Sequence, residues 1–304
     1  MKDRGHAAGN EKKYSALSLN QNGSAVIITV LIVSMLVALV VEFAYEVFID
    51  TAALSNWTNA QKASLIAKSG QTLFSEYINM IKSDNTLSEI EYPVEKDLGP
   101  NTQLILKIED ENAKFNVNSI IYQNGTVNKQ TLASLQKLFE YLNINAKLAD
   151  AIADWIDSDS EPMEGLSDSE VNSKNAPLQI LDELKLVPGL DKNIFETIKP
   201  YLTVYGNGIV NINTAGLPVL VSFKDMTEAL AKSIISYRES TPFENTGQMA
   251  NISGMGSIQI SLVGKTSVKS RNFRVTAIAT VNDITRIIES VMDTSGTIQF
   301  WREQ

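Results

Sequence analysis

The strongest candidate for a binding or reactive site is a run of acidic side chains in this chain of 304 residues. The five carboxylates are Asp157, Asp159, Glu161, Glu164 and Asp168. Their charges repel one another, a bound hard cation relieves that repulsion, and an all-oxygen ligand set favours Ca²⁺ over Zn²⁺ or copper. The alternative is a solvated acidic loop without a metal ion, and the residues alone favour it.

The order of these acids departs from that of an EF-hand. The opening Asp-x-Asp-x-Glu resembles the start of such a loop, but Pro162 replaces the required Gly and Asp168 replaces the final Glu. A catalytic carboxylate pair drawn from Asp154, Asp157 and Glu161, as in a glycosidase, is disfavoured because no aromatic-rich segment accompanies these acids.

Composition excludes most other reaction chemistry. The chain has no Cys, which rules out disulfides, Cys-ligated zinc, iron–sulfur clusters and thiol nucleophiles. Its single histidine, His6, lies in a polar N-terminal segment, so a Ser-His-Asp triad is disfavoured. The formal net charge of −9 opposes general affinity for nucleic acid. We therefore expect neither enzymatic activity nor a nucleic-acid partner.

An apolar run near the N-terminus extends from Ala25 to Val41 and is broken only by Thr29 and Ser34. Its length suits a transmembrane helix, and the basic excess before it favours a cytoplasmic N-terminus with the remainder outside. A buried core helix is the alternative, but no other segment is so uniformly apolar. The sequence after the run is a poor match to the Ala-x-Ala site of a secretory signal peptidase.

The junction Gly23-Ser24 lies directly before this run. A polar leader that ends in glycine and leads into an apolar helix resembles the type IV prepilin class of signal. Its peptidase cuts on the cytoplasmic side and leaves the helix on the mature protein, so Ser24 is the predicted mature N-terminus. Such helices usually carry Glu at the fifth mature position, which is Ile28 here. That departure suits a subunit at the tip of a filament, which has no subunit ahead of it.

The segments that follow predict an α+β fold. Apolar residues at three- and four-residue steps continue the N-terminal helix to about Met80, before a loop marked by Pro93 and Gly99-Pro100. Next, a hairpin is predicted, with strands Gln103–Glu109 and Ala113–Asn118 on either side of the polar turn Asp110–Asn112.

Helical segments fill the middle of the chain, and a period of two returns near the C-terminus. An antiparallel meander is predicted at Phe273–Thr280, Arg286–Met292 and Thr297–Trp301. Because an isolated hairpin is marginally stable, the two β regions predict one sheet with the helical block inserted, although two small domains are the alternative. The predicted parts are a cleaved leader (1–23), a transmembrane part (24–41), the rest of the helix with the first strands (42–118), the inserted helical domain with the acidic loop (119–265), and the C-terminal strands (266–304).

Three turn-then-helix units in the block, at Leu181–Tyr201, Leu217–Arg238 and Phe243–Ile260, resemble helix-hairpin-helix modules. A membrane-anchored DNA-binding or DNA-uptake protein is thus an alternative function. Phosphate binding by such a unit uses a Gly-x-Gly turn and a following helix with basic residues. Only Gly254-Met255-Gly256 has that turn, so the units are interpreted as packing devices.

Several segments together resemble the minor pseudopilin K family of type II secretion systems (general secretion pathway protein K, GspK). Besides the junction Gly23-Ser24 and Ile28, they are Phe115–Asn118, Leu148–Asp159, Asn175–Leu178, Leu184–Gly189, Leu202–Gly206, Val210–Ala215, Phe273–Val275 and Trp301–Glu303. The likeness spans nearly all of the mature chain in the same order.

This resemblance implies a non-enzymatic tip subunit of the pseudopilus, anchored in the inner membrane with its C-terminal domain in the periplasm. It implies cleavage and methylation by a prepilin peptidase, and partners among the major pseudopilin and the minor pseudopilins I and J. It implies a pilin-like antiparallel sheet with a large inserted helical domain. It also implies calcium held by the acidic loop with Asn175 completing the ligands, and with the resemblance the calcium hypothesis is favoured over an empty loop.

Overall fold

The computed structural model describes residues 21–83, 89–94, 98–158, 161 and 173–304. Helix α1 (Gln21–Ser83) begins the described chain. The chain divides into two compact units, one ending at Thr58 and the other spanning Asn59–Gln304. The first contains the apolar part of α1, and the second contains the remaining described elements.

Nine strands and six further helices are assigned within the described residues of the second unit. The strands are β1 (Glu89–Pro93), β2 (Thr102–Asp110), β3 (Phe115–Asn116), β4 (Leu202–Thr203), β5 (Val210–Asn211), β6 (Thr266–Ser267), β7 (Asn272–Val281), β8 (Ile284–Asp293) and β9 (Ile298–Glu303). The helices are α2 (Lys129–Tyr141), α3 (Lys147–Ile156), α4 (Lys192–Ile198), α5 (Leu217–Val221), α6 (Glu228–Ser240) and α7 (Gly256–Leu262). Short 3-10 segments lie at Glu111–Ala113, Val117–Ile120, Leu181–Leu186, Lys199–Tyr201 and Thr246–Asn251.

The main sheet has five antiparallel strands in the order β1-β2-β7-β8-β9. β2 pairs with β7 along its whole length, from Thr102 opposite Val281 to Asp110 opposite Phe273. The polypeptide between these two strands forms the helical block. The predicted single sheet with an inserted block and a C-terminal meander is therefore confirmed, whereas the part boundaries drawn from the sequence stay predictions.

One local prediction is wrong. Asp110–Asn112 does not turn a hairpin, because β2 pairs with β1 and β7 while β3 pairs in parallel with β4. The Asp110 carboxylate accepts the Asn112 N–H at 2.7 Å and starts a 3-10 turn that leads into the block. Pro93 is the last residue of β1, where an edge strand tolerates a missing N–H, and Gly99 and Pro100 lie outside the strands.

Small residues on α1 let the helix approach the sheet closely. Ala63 and Ala67 are buried against Leu106 and Ala277. Gly70 lies nearest: a Cβ built on it would sit 2.9 Å from Leu106 Cδ2 and 3.1 Å from Ala277 Cβ. Glycine at this position thus lets α1 approach the sheet closely, at a cost in helix propensity of about 1 kcal/mol relative to alanine.

The helical block has its own core around fully buried aromatic side chains, including Phe139, Phe195 and Phe243. Side-chain caps begin some of its helices: Asn128 accepts the Thr131 N–H at the start of α2, and Thr227 caps α6. The packed core of the block therefore fixes the positions of the loops that join its helices.

Candidate functional site

The first unit presents an apolar helix surface. Large apolar side chains from Val26 to Val41 are each 52–67 % exposed. Within the part of the chain that the structure describes, α1 is the single helix whose length and composition suit a membrane crossing. So large an exposed apolar surface is stable only against lipid or another protein.

The predicted processing residues Gly23 and Ser24 lie in the first turns of α1. A Cβ built on Gly23 would meet no atom within 4 Å, and its φ lies outside the left-handed region. Neither packing nor backbone conformation in the described chain therefore requires glycine here. Ile28 is exposed on the same helix.

The acidic loop leaves the end of α3 and returns to it. Asp157, which follows α3, is only 3 % exposed, whereas Glu161 is exposed. The backbone N–H groups of Lys174 and Asn175 each donate to the Trp155 carbonyl at 3.1 Å. The fold thus brings Asn175 back to the helix end where Asp157 lies. Three further predicted ligands lie outside the described residues: Asp159, Glu164 and Asp168.

The described residues contain no group of three or more His, Asp or Glu side chains placed to hold a metal ion. The calcium hypothesis therefore stays a prediction. Asp154, one of the three acids of the disfavoured catalytic pair, is completely buried in α3.

A buried polar cluster that the sequence analysis missed joins the block to the sheet. Asp110 accepts the Asn112 N–H and the hydroxyl protons of Thr214 (2.5 Å) and Ser270, and Asn211 Nδ2 lies 3.5 Å away. Burial raises the pKa of the Asp110 carboxyl, which these donors partly oppose. The cluster ties together the point where the chain enters the block and the point where it leaves.

A ladder of ion pairs continues from this cluster across the sheet. Glu111, whose side chain is fully buried, contacts Arg274 Nε at 2.8 Å and Lys114 Nζ at 3.1 Å. Glu289 then pairs with Arg274 and, at 2.6 Å, with Arg302 on β9. Burial alone would raise the pKa of Glu111, but the two neighbouring cations lower it. The ladder fixes β7, β8 and β9 relative to the start of the block.

The α5–α6 turn belongs to the second of the three turn-then-helix units. Its carbonyls, those of Phe223 and Met226, accept hydrogen bonds from Lys137 Nζ at 2.8 and 2.6 Å. Asp225 occupies the left-handed position of the turn, with φ of 61°. A side-chain ammonium from α2 therefore fills the turn from within, and a carboxylate stands in the position that a phosphate-binding turn gives to glycine.

Two family models match segments of this chain, and two known proteins are similar to most of it. The model of type II secretion system (T2SS) protein K matches residues 113–207, and a helix-hairpin-helix motif model matches residues 206–262. Type II secretion system protein K of Pseudomonas aeruginosa is 21 % identical over 90 % of this chain and 88 % of its own length. The protein K of Pectobacterium carotovorum subsp. carotovorum is 26 % identical over 72 % of this chain and 75 % of its own.

The fold has a solved counterpart. A chain in the crystal structure of the GspK-GspI-GspJ complex from the enterotoxigenic Escherichia coli type 2 secretion system superposes with a TM-score of 0.62 at 20 % identity. The match covers 84 % of this chain and 99 % of that chain. The predicted α+β class, with an N-terminal helix, an antiparallel sheet and an inserted helical block, is confirmed. The family model, the two relatives and this shared fold agree in supporting a type II secretion system minor pseudopilin K.

Proposed function

We propose that the protein is a non-enzymatic minor pseudopilin at the tip of the type II secretion pseudopilus, where it helps initiate the filament and supports export across the outer membrane. The observation that carries this proposal is the exposed apolar stretch of α1 in a chain similar to type II secretion system protein K. An apolar helix of that kind serves first as an inner-membrane anchor and then as a surface for neighbouring helices. The unit Asn59–Gln304 would lie in the periplasm.

The partners follow from the same proposal. The complex named in the solved structure supports I-type and J-type minor pseudopilins as neighbours. The major pseudopilin would follow below them in the filament. Ile28, where pilin-class helices carry glutamate, supports a position with no subunit ahead. The family and the packed α5–α6 turn both disfavour the DNA-binding alternative.

Mass spectrometry of the protein extracted from membranes tests the proposal. We expect the mature chain to begin at Ser24, with a methylated N-terminus. Gly23→Val is expected to block cleavage, and Gly9→Val, a matched change in the leader, is expected to leave it intact. An N-terminus at Met1 in the wild-type protein, or a cut after Val41, contradicts the proposal.

We further propose that the acidic loop binds Ca²⁺, with ligands drawn from Asp157, Asp159, Glu161, Glu164, Asp168 and Asn175. The donor set fits, because all six side chains offer oxygen. Asp157 is buried beside the C-terminal end of α3, where the helix dipole is negative, so a nearby cation offsets both charges. The bound ion would pin the loop to the block.

Thermal unfolding with and without the ion tests this second proposal. EDTA is expected to lower the melting temperature and added Ca²⁺ to restore it. Asp157→Asn is expected to abolish the response, whereas Asp283→Asn, in an exposed turn, is expected to keep it. A melting temperature that EDTA and Ca²⁺ both leave unchanged would show that the loop holds no calcium.

A further inference from the structure

We propose that the outer edge of β9 is a docking edge, which accepts an extended strand from a neighbouring pseudopilin subunit. This inference rests on the proposed function, since it names the surface through which the globular part of the protein meets its partner. Four observations carry it: the difference between the two sheet edges, the direction of the β9 backbone groups, the exposed side chains of β9, and its position beside α1.

The five-stranded sheet has one guarded edge and one open edge. Strand β1 carries exposed Glu89 and Glu91 and ends in Pro93, which are devices that prevent pairing with another strand. At the other edge, β9 has no proline, and although Arg302 is exposed there, the apolar side chains of Ile298 and Trp301 are also 57 % and 47 % exposed. An exposed apolar edge strand invites strand addition, so an edge left open in this way suits a partner.

The backbone of β9 has groups that point outward. Ile287 and Gln304 exchange two hydrogen bonds, at 3.0 and 2.8 Å, so the even-numbered residues of β9 near this point bond to β8. In an antiparallel pair, bonding and non-bonding positions alternate. The N–H and C=O groups of Trp301 and Glu303 therefore face away from the sheet. Within the described residues, no strand lies beyond β9 to receive them.

The position of β9 identifies the occupant. Lys68 on α1 bonds Glu303 at 3.2 Å, and its ammonium lies 6.0 Å from the centre of the Trp301 ring. The open edge thus runs alongside the second-unit part of α1. The solved complex that contains a chain of similar fold also contains I-type and J-type pseudopilins, which are the neighbours in the proposed function. The occupant is accordingly a neighbouring pseudopilin that offers an extended segment with an apolar side chain opposite Trp301.

Two substitutions at one residue separate backbone pairing from side-chain contact. Trp301→Thr removes the indole but keeps the outward N–H, whereas Trp301→Pro also removes the N–H without touching a bond to β8. The binding partner is the pair of I-type and J-type minor pseudopilins from the same secretion system, immobilised in detergent and titrated with the full-length chain. Ile260→Thr, a change at an exposed apolar residue of the helical block, serves as the matched control.

The proline variant is expected to bind about tenfold more weakly than the threonine variant, because it forfeits a backbone hydrogen bond and displaces the paired strand. The control is expected to bind like wild type. Hydrogen exchange gives a second measurement that needs no substitution: amides within 298–303 are expected to gain protection in the complex, and those within 89–93 are not.

The outcomes distinguish this inference from the function on which it rests. Failure of the wild-type chain to bind either partner would overturn the proposed function and the docking edge together. Binding that is equal in the proline and threonine variants, with no protection at 298–303, would overturn the docking edge alone. Protection at 298–303 in the isolated chain, accompanied by dimers in light scattering, would assign the edge to a second copy and overturn the pseudopilin occupant.

Discussion

Replacing Asp110 by Asn changes the charge of the junction cluster while keeping its shape. The wild-type carboxylate is buried and accepts from Asn112, Thr214 and Ser270, none of which carries a charge. The amide retains one acceptor oxygen, and its NH₂ can donate to the hydroxyls if they rotate. Asn211 Nδ2, however, then faces another donor at 3.5 Å.

At neutral pH the two effects of this substitution nearly cancel. Loss of the charge-assisted hydrogen bonds costs about 1–2 kcal/mol, and removal of a buried charge returns a similar amount. We therefore expect Asp110→Asn to change the free energy of unfolding at pH 7 by no more than about 1 kcal/mol in either direction.

The pH dependence has a definite sign. Because burial raises the pKa of Asp110 in the folded state above its ordinary value of 3.8, the folded wild-type protein binds a proton that the unfolded chain does not. The wild type therefore gains stability relative to Asp110→Asn as the pH falls through the raised pKa, and the gain levels off below 3.8. Each unit of elevation contributes about 1.4 kcal/mol. Glu111, whose pKa is lowered, works in the opposite direction but is present in both proteins.

Urea unfolding of the Asn59–Gln304 unit between pH 7 and pH 4 measures the difference between the two proteins. Asp283→Asn, an exposed change in the turn between β7 and β8, is expected to give a difference that does not vary with pH. A constant difference for Asp110→Asn, or a wild type that loses stability relative to the variant on acidification, would refute the reasoning about the buried carboxyl.

Two further substitutions test the α5–α6 turn and the packing of α1 against the sheet. Lys137→Met is expected to destabilise the Asn59–Gln304 unit by about 1–3 kcal/mol, because it leaves two carbonyls of the α5–α6 turn without their ammonium donor. The control Lys129→Met, at an exposed lysine of the same helix, is expected to be neutral in the same urea titration. Gly70→Ala is expected to lower the melting temperature despite the better helix propensity of alanine, since the new Cβ would crowd Leu106. The control Ser69→Ala, at an exposed position, is expected to leave the melting temperature unchanged. An increase for Gly70→Ala would contradict the close approach of α1 to the sheet.

Local patterns were enough to predict the C-terminal meander, because alternation along β7 and β8 shows directly which side chains face the helix. Pairing partners were harder to predict. The run Asp110–Asn112 looks like a hairpin turn, since polar residues between two strands usually serve that role. Its true contacts are long-range, to Thr214 and Ser270, and local sequence carries no signal of residues more than one hundred positions away.

The candidate sites also differ in whether the sequence alone reveals them. Gly23 stands out in sequence because of the apolar run after it. The importance of Lys137 cannot be seen in the sequence, because an isolated lysine in an amphipathic helix is normally a solvated residue. Only the fold brings its ammonium to the carbonyls of a turn that lies far along the chain. For Trp301, sequence predicted a strand, but its place at an open edge depends on the strand order.

The helix-hairpin-helix match concerns architecture, and the α5–α6 turn explains why. A phosphate-binding turn directs free N–H groups at its ligand and avoids negative charge nearby. Here the turn has its carbonyls held by Lys137, and Asp225 supplies a carboxylate in the left-handed position. Burial lowers the pKa of Lys137, which the nearby Asp225 carboxylate partly opposes. The turn is thus stabilised by an internal cation and is electrostatically unsuited to DNA, which leaves packing against α2 as its role in a secretion subunit.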